Sequence, residues 1–225
     1  MTDKTYLVDI TTAAGRSGDR DTIGGWPMLD PGQQWPECGC GTRMALHFQL
    51  EIPADIPYFG GDQLLVFYCP RESDISYSAE SQLPERYWDQ PPGSDSVFWR
   101  ILLQRNGAPH PEADPYFLPR RLALRSADRD IVADPGGVPQ AFTIGGAPVW
   151  LQRAEHYRCA CGADLAFLGQ IDEGFTFSEF ARPELEDDED GFEGLDDGLF
   201  LGNEVYLFAC PAHCNPAATW VACQN

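Results

Sequence analysis

The sequence contains few basic residues and no long hydrophobic segment. Lys and Arg together number 15 against 35 Asp and Glu in 225 residues, which gives a formal net charge of −20. Because binding to nucleic acid requires clustered positive side chains that neutralise phosphates, this charge excludes a general nucleic-acid binder. No apolar segment approaches the roughly 20 residues of a membrane-spanning helix, and residues 1–6 lack the charged-then-apolar pattern of a secretion signal. We therefore expect a cytoplasmic protein that binds neither nucleic acid nor membranes.

The motifs of common enzyme mechanisms are also missing. There is no Gly-x-Ser-x-Gly, no glycine-rich phosphate loop ending in Lys-Ser or Lys-Thr, and no His-Glu-x-x-His. The four histidines, His47, His110, His156 and His213, show no paired spacing. We therefore predict that the chain is not an enzyme, with a cysteine-based mechanism as the alternative.

The hydrophobic pattern predicts a mainly β protein, α+β at most. A hydrophobic fraction of 43% with 27 aromatic residues can fill a core, and no segment shows a helical period longer than about three turns. Short apolar or alternating segments are typical of strands. The predicted strands are Tyr6–Thr12, Leu46–Ile52, Leu64–Tyr68, Arg121–Arg125, Leu165–Ile171 and Val205–Phe208.

The sequence contains an internal repeat. Ile23-Gly24-Gly25-Trp26-Pro27 recurs 121 residues later as Ile144-Gly145-Gly146-Ala147-Pro148. The same offset relates Cys38-Gly39-Cys40-Gly41 to Cys159-Ala160-Cys161-Gly162, Gln49 to Gln170, and Trp99 to Trp220. The segment that ends in Cys69-Pro70 matches the one that ends in Cys210-Pro211 at an offset of 141, so the second copy carries 20 additional residues. Such regular spacing indicates a duplicated module.

This repeat defines the predicted domain organisation. An N-terminal strand segment covers residues 1–19, and the first copy covers residues 20–105. A proline-rich connection covers residues 106–140, and the second copy covers residues 141–225 with an acidic insertion near 172–202. We predict that the two pseudo-symmetric β-rich copies pack into one composite domain.

The cysteines indicate metal binding. They are Cys38, Cys40, Cys69, Cys159, Cys161, Cys210, Cys214 and Cys223. In a reducing compartment, cysteine pairs at short spacing bind metal more often than they form disulfides. Disulfides and plain buried thiols are the alternatives.

In the second copy the predicted ligands are Cys159, Cys161, Cys210 and Cys214. A glycine after the Cys-x-Cys pair permits the positive φ that a tight turn needs, and the proline after Cys210 ends the preceding strand. Four thiolates close a tetrahedral site and leave no open position, so we predict a structural zinc ion.

In the first copy Cys38, Cys40 and Cys69 match three of these ligands. Ser73 stands where the second copy has Cys214, and serine is a poor zinc ligand. We predict Cys223 as the fourth ligand, with His47 as another candidate, and a site that has lost its metal is the third possibility. His213 lies between two candidate ligands and is expected beside the second site rather than in it.

These elements in this order resemble two related families. The Gly-Gly-x-Pro segment, the Cys-x-Cys-Gly pair, the glutamine-containing strand, the strand ending in Cys-Pro and the closing Trp-x-x-x-Gln are similar to the bacterial YwqG-like domain and to the eukaryotic programmed-cell-death-protein-2 family. The resemblance covers about 160 residues. It implies a duplicated β-rich fold and a role in holding another protein, such as a basic ribosomal protein or a toxin.

The acidic insertion is the candidate binding segment. Nine of the fourteen residues 184–197 are acidic and none is basic, and aromatic residues are interleaved with them. One interpretation of this segment is a solvated loop, because like charges at this density repel one another. The alternative is an arm that attracts and anchors a basic protein or peptide. Its predicted contact residues are Glu186, Asp187, Asp188, Glu189, Asp190 and Phe192. We thus predict a zinc-stabilised, chaperone-like or toxin-neutralising module, with a scaffold that has no dedicated partner as the alternative.

Overall fold

The computed structural model describes residues 4–72, 82–89, 98–127, 141–173, 175–183 and 199–225. Within these residues no helix has the length and apolar character needed to cross a membrane. Short 3-10 turns lie at Tyr87–Asp89, Ser178–Phe180 and Leu199–Gly202, and all other regular structure in the described ranges is β-strand.

In chain order the strands in the described residues are β1 (Thr5–Ala14), β2 (Thr22–Ile23), β3 (Met28–Leu29), β4 (Ala45–Glu51), β5 (Gln63–Tyr68), β6 (Trp99–Gln104), β7 (Ala108–Pro109), β8 (Arg120–Ala127), β9 (Thr143–Gly145), β10 (Ala166–Ile171), β11 (Glu204–Ala209) and β12 (Thr219–Gln224). Six of these twelve strands, β1, β4, β5, β8, β10 and β11, coincide with the predicted segments, and the other six were not predicted. Every residue of β5 and of β11 is buried, as expected for the two longest apolar segments. The prediction of a mainly β fold is confirmed.

Ten of the strands form one antiparallel sheet with symmetric halves. Its order is β12-β11-β10-β9-β1-β8-β2-β4-β5-β6, and β3 pairs with β7 in a separate ribbon. The sheet curls until its two edge strands approach each other. The Thr219 hydroxyl donates to the Ile101 carbonyl at 3.1 Å, and the Leu103 N–H donates to the Pro216 carbonyl at 2.8 Å. The two copies therefore meet at both the centre and the edges of a nearly closed sheet.

At the centre of the sheet, the strand that precedes each copy pairs with the other copy. β1 pairs with β9 of the second copy, while β8 pairs with β2 of the first. β1 and β8 also pair with each other from Thr5 opposite Ala127 to Ile10 opposite Leu122. This exchange ties the copies together through backbone hydrogen bonds.

The hydrophobic core is continuous across the copies. One cluster contains fully buried side chains from β4, β5, β10 and β11, including Phe48, Tyr68 and Tyr206. Trp99 and Trp220, the residues that match at an offset of 121, contact each other edge to face with ring centroids 5.7 Å apart. A smaller cluster beside the first copy contains Trp35 and the buried Cys38 and Cys69 thiols.

Candidate metal centres

The second copy brings its four predicted cysteine ligands together. Cys159 and Cys214 have their Sγ atoms 3.4 Å apart, those of Cys161 and Cys210 are 3.5 Å apart, and those of Cys210 and Cys214 are 3.6 Å apart. All four sulfurs lie within 4.8 Å of one another. We call this group the second site.

The first copy brings together three predicted cysteines and one residue that the sequence interpretation missed. Cys40 and Cys69 have their Sγ atoms 3.7 Å apart, and Glu72 places its Oε2 3.6 Å from Cys38 Sγ. These four ligand atoms also lie within 4.8 Å of one another. We call this group the first site.

The distances within both groups fit a metal ion rather than disulfides. A disulfide would bring two sulfurs to about 2.05 Å, and all the cysteines are free. Around a tetrahedral zinc ion with Zn–S bonds of about 2.3 Å, neighbouring sulfurs are about 3.8 Å apart, and a sulfur and a carboxylate oxygen are about 3.5 Å apart. The observed 3.4–3.7 Å separations lie close to these values. Both groups can therefore hold a metal ion.

The Cys-x-Cys-Gly turns have the same backbone geometry in the two copies. The N–H of Cys38 and that of Cys159 each donate at 2.8 Å to the carbonyl four residues later. Gly41 has φ of 83° and Gly162 has φ of 92°, in the region that residues with a side chain rarely adopt. The glycines thus close the turns that direct both thiols of each pair to one side.

The other two ligands of each site follow the end of a strand. Cys69 comes directly after β5 and Cys210 directly after β11, so each leaves the sheet at the same point. The N–H groups of Arg71 and Glu72 hydrogen-bond the Cys69 sulfur, and those of Ala212 and Cys214 hydrogen-bond the Cys210 sulfur. Such N–H donors stabilise a thiolate, which is the form that binds metal.

The protein environment shifts the pKa of some of these thiols upward and of others downward. Burial raises the pKa of Cys38, Cys69 and Cys210 above the usual thiol range. Burial also raises the pKa of Cys40, but hydrogen bonds with Thr42, Cys38 and Cys69 together lower it by more, so the net pKa is lowered. A metal ion must therefore displace protons from the buried thiols, so metal affinity decreases in acid.

Neither proposed fourth ligand of the first copy reaches the first site, which corrects both assignments. Cys223 lies in β12 opposite Val205, and burial raises the pKa of its thiol. His47 is fully buried in β4, where its ring contacts the rings of Tyr68, Phe117 and Phe177. Each lies in a strand of the packed sheet, whereas the ligands lie on the turns and strand ends. The position assigned to Cys223 is occupied by Glu72.

A signal for Glu72 exists in the sequence. The second copy spaces its last two ligands as Cys210-x3-Cys214, and a carboxylate one residue closer, at Cys69-x2-Glu72, has a longer side chain that reaches the same point. Carboxylate oxygens are ordinary zinc ligands. The comparison of the copies considered only the position at the full spacing, Ser73, and so missed this residue.

His213 lies beside the second site, as the sequence predicted. It has a positive φ of 48°, and its N–H donates to the Cys210 carbonyl at 3.0 Å. Its ring lies 3.1 Å from the Arg105 guanidinium and 3.4 Å from the Asp62 carboxylate, both of the first copy. Asp62 is buried and pairs with Arg105 at 2.6 Å. The ligand loop of the second site is thereby anchored to the first copy.

The predicted partner-contact residues Glu186, Asp187, Asp188, Glu189, Asp190 and Phe192 lie outside the described residues. Nearby, Phe175, Phe177 and Phe200 are described and pack against or within the core. These aromatic residues of the insertion region thus stabilise the sheet. Core packing explains their positions without any contact with a partner.

Two comparisons of the sequence with known proteins give no match. No model of a protein family matches the sequence, and no curated protein is similar to it. The resemblance to the YwqG-like and programmed-cell-death-protein-2 families therefore stays a prediction that rests on the repeated motifs. What the structure establishes is a duplicated β sheet with two four-residue groups that can hold metal ions.

Proposed function

We propose that this chain is a cytoplasmic, zinc-stabilised binding module, not an enzyme, that holds a basic protein or peptide. The observation that carries the proposal is the pair of closed four-ligand groups, one at the end of β5 and one at the end of β11. Each group supplies all four ligands of a tetrahedral ion, which is the arrangement of structural zinc sites.

Zinc is the metal that best suits these ligand sets. Thiolates select soft or borderline ions, and Ca²⁺ or Mg²⁺ would require mostly oxygen ligands. Each site joins a turn to a distant strand end, 29 residues apart for Cys40 and Cys69 and 49 residues apart for Cys161 and Cys210. An ion that links such segments contributes its binding energy to folding.

The distribution of charge supports a basic partner. Within the described residues, eight cationic side chains form ion pairs inside the chain; they are Lys4, Arg20, Arg43, Arg86, Arg105, Arg121, Arg125 and Arg158. Because acidic residues outnumber basic ones by 20 over the whole chain, many carboxylates have no cation of this chain to pair with. Such a surface attracts a cationic protein and accelerates its association.

The binding role is tested with variants of the acidic segment 184–197. Affinity for a cationic protein of the source cell is measured for the intact chain, for a chain with this segment deleted, and for one with its nine acids replaced by the matching amides. We expect both changes to weaken binding most at low salt, since screening removes the attraction in every variant at high salt. Phe192→Ala in the otherwise intact chain separates aromatic anchoring from charge. Equal affinity of all forms would favour a scaffold without a dedicated partner.

A chaperone and a toxin-neutralising protein are separated by kinetics. A neutralising complex must persist, so its dissociation is slow, whereas a chaperone must release its client. Measurement of the dissociation rate with the captured basic partner therefore distinguishes the two forms of the proposal. The alternative, an enzyme with a cysteine-based mechanism, would require a reactive thiolate. For the proposed module we expect all seven cysteines at the sites to react slowly with a thiol reagent until a chelator is added.

A further inference from the structure

We propose that the first site is exchangeable: Glu72 can leave the bound ion and an external thiolate can take its place, while the second site retains its four cysteines. This inference rests on the proposed function, because it assumes that both sites hold zinc. It assigns to the first site a ligand class, soft monovalent anions with a thiolate as the best example.

Three of the four ligands in the first site have equivalents in the second site. The N–H groups of Cys69 and Cys210 each donate at 2.8 Å, to the carbonyls of Phe98 and Ala218. The Cys-x-Cys-Gly turns share their hydrogen bonds and positive-φ glycines, as described above. The main difference in ligand chemistry between the sites is therefore the fourth ligand, Glu72 or Cys214.

Cys214 is held firmly in the second site. The preceding His213 is fixed by its N–H bond to Cys210 and by its ring contacts with Arg105 and Asp62 of the other copy. The following Asn215 closes a turn by accepting from the Ala217 N–H at 2.9 Å. Because the residues on both sides of Cys214 make these contacts, the backbone that carries Cys214 is fixed next to the other three ligands.

Glu72 is held much less firmly. In the described part of the chain, the one hydrogen-bond partner of its carboxylate is the Cys38 sulfur at 3.6 Å. A carboxylate that leaves the ion for solvent regains favourable hydration. It is also a harder ligand than a thiolate and binds a borderline-soft ion less strongly than sulfur does.

The departure of Glu72 opens the ion toward solvent. Cys38 and Cys69 are buried, while Cys40 is exposed and Glu72 is half-buried, so the carboxylate lies on the accessible side of the group. In the exchange the zinc–oxygen bond to Glu72 breaks, a zinc–sulfur bond to the incoming thiol forms, and the thiol proton passes to solvent. One negative ligand replaces another, so the charge of the site is unchanged.

Zinc release provides the first test. Protein with two zinc ions is mixed with the chelator 4-(2-pyridylazo)resorcinol, and we expect two phases of one ion each, with the first at least about tenfold faster. Glu72→Cys, which supplies a fourth thiolate, should slow the fast phase, and Glu72→Ala should preserve or accelerate it. A single phase for the native chain, or a fast phase that is unchanged in Glu72→Cys, would overturn the proposal.

Cobalt substitution tests the incoming ligand. The two sites of the native chain supply seven thiolates, so the sulfur-to-cobalt charge-transfer absorbance should rise by about one seventh when 2-mercaptoethanol adds an eighth. It should rise likewise in Glu72→Ala and should not rise in Glu72→Cys. An unchanged spectrum of the native chain would contradict exchange with a thiolate. If Glu72→Cys does not fold, Glu72→Ala and the native chain still decide the question. A chain that binds no zinc at all would instead refute the proposed function.

Discussion

Gln49 and Gln170 make the same hydrogen bond in the two copies of the sheet. Each side-chain Oε1 accepts from the backbone N–H of the residue 21 positions earlier, Met28 at 2.9 Å and Val149 at 3.0 Å. Both glutamines are buried, in β4 and β10, and each Nε2 also donates to a carbonyl of the same incoming segment, that of Trp26 or Val149. The repeated glutamine is thus the residue that attaches the Gly-Gly-x-Pro segment to the sheet.

Replacement of either glutamine by leucine should destabilise the protein. Leucine has nearly the same size but leaves the Met28 or Val149 N–H without its partner, which costs about 1–3 kcal/mol for a buried donor. We expect this loss of unfolding free energy in Gln49→Leu and in Gln170→Leu, measured by urea denaturation. The exposed Gln34 provides the control, and Gln34→Leu should change stability by less than about 0.5 kcal/mol. A neutral effect of Gln49→Leu would show that the segment is held by its other contacts.

His47 is expected to limit stability in acid. Both of its ring nitrogens are buried with no hydrogen-bond partner among the described residues, and burial lowers its pKa to about 3. The unfolded chain takes up a proton near pH 6.5 and the folded chain does not, so stability falls as the pH drops from 6.5 toward 3. The contribution of this one group is about 1.4 kcal/mol per pH unit in that range.

His47→Phe should therefore flatten the acid side of the stability profile. Phenylalanine suits the aromatic surroundings of the ring, formed by Tyr68, Phe117 and Phe177, and removes the unsatisfied nitrogens. The measurement is the unfolding free energy from pH 7 to pH 4, with the exposed His156→Phe as the matched control. An identical pH slope in the native chain and His47→Phe would contradict the assignment of a buried neutral imidazole.

Most of the fold could be predicted from periodicity and self-similarity. An apolar segment such as Leu64–Tyr68 predicts a buried strand, because the side chains on both faces of the strand are apolar. The structure confirms this prediction, since the segment lies in β5 and all its residues are buried. The exchange of β1 and β8 between the copies could not be predicted. These strand partners lie about 100 residues or more apart in sequence. The alternation of Arg121–Arg125 indicates a strand without indicating its neighbour.

The metal centres show where local pattern is sufficient and where it is not. Cys159 and Cys161 share a tight turn, and their partners Cys210 and Cys214 share another, so spacing alone defines each half of the second site. The fourth ligand of the first site cannot be identified from the spacing of the second site. Glu72 stands one residue closer to the preceding ligand than Cys214 does, and its side chain is longer than that of cysteine. Cys223 is the cysteine that remains when the other seven are matched between the copies, and this carries no information on its position in space.

The number of zinc ions bound by the native chain and by cysteine variants tests these ligand assignments directly. We expect two zinc ions per native chain and one in Cys161→Ser or Cys40→Ser, because each loses one ligand of one site. Cys223→Ala serves as the control and should retain two, since Cys223 lies in neither group. We expect the loss of the second site to lower the unfolding free energy by at least about 3 kcal/mol, since structural zinc sites contribute on the order of 10 kcal/mol. A Cys223→Ala chain with one ion would restore Cys223 as a ligand.

Glu204 should make the protein less stable as the pH rises. It is the buried first residue of β11, where Gln170 donates to its Oε1 and the Glu173 N–H donates to its Oε2 at 2.9 Å. Burial raises its pKa to about 7 from 4.5. The folded chain therefore binds this proton more tightly than the unfolded chain, and the associated stability is complete below pH 4.5 and lost as the pH rises through 7.

Glu204→Gln should remove this dependence, because the amide resembles the protonated acid and the first copy has Gln63 at the matching position. We expect the unfolding free energy of Glu204→Gln relative to the native chain to increase between pH 5 and pH 8. Glu112→Gln is the matched control, because the pKa of Glu112 is shifted in the opposite direction. The hydrogen bond from Arg43 lowers the pKa of this exposed carboxyl. Loss of that pair should cost stability only where the carboxylate is ionised, so the two difference curves should diverge. Parallel curves would show that the Glu204 carboxylate ionises at its ordinary pH despite its burial.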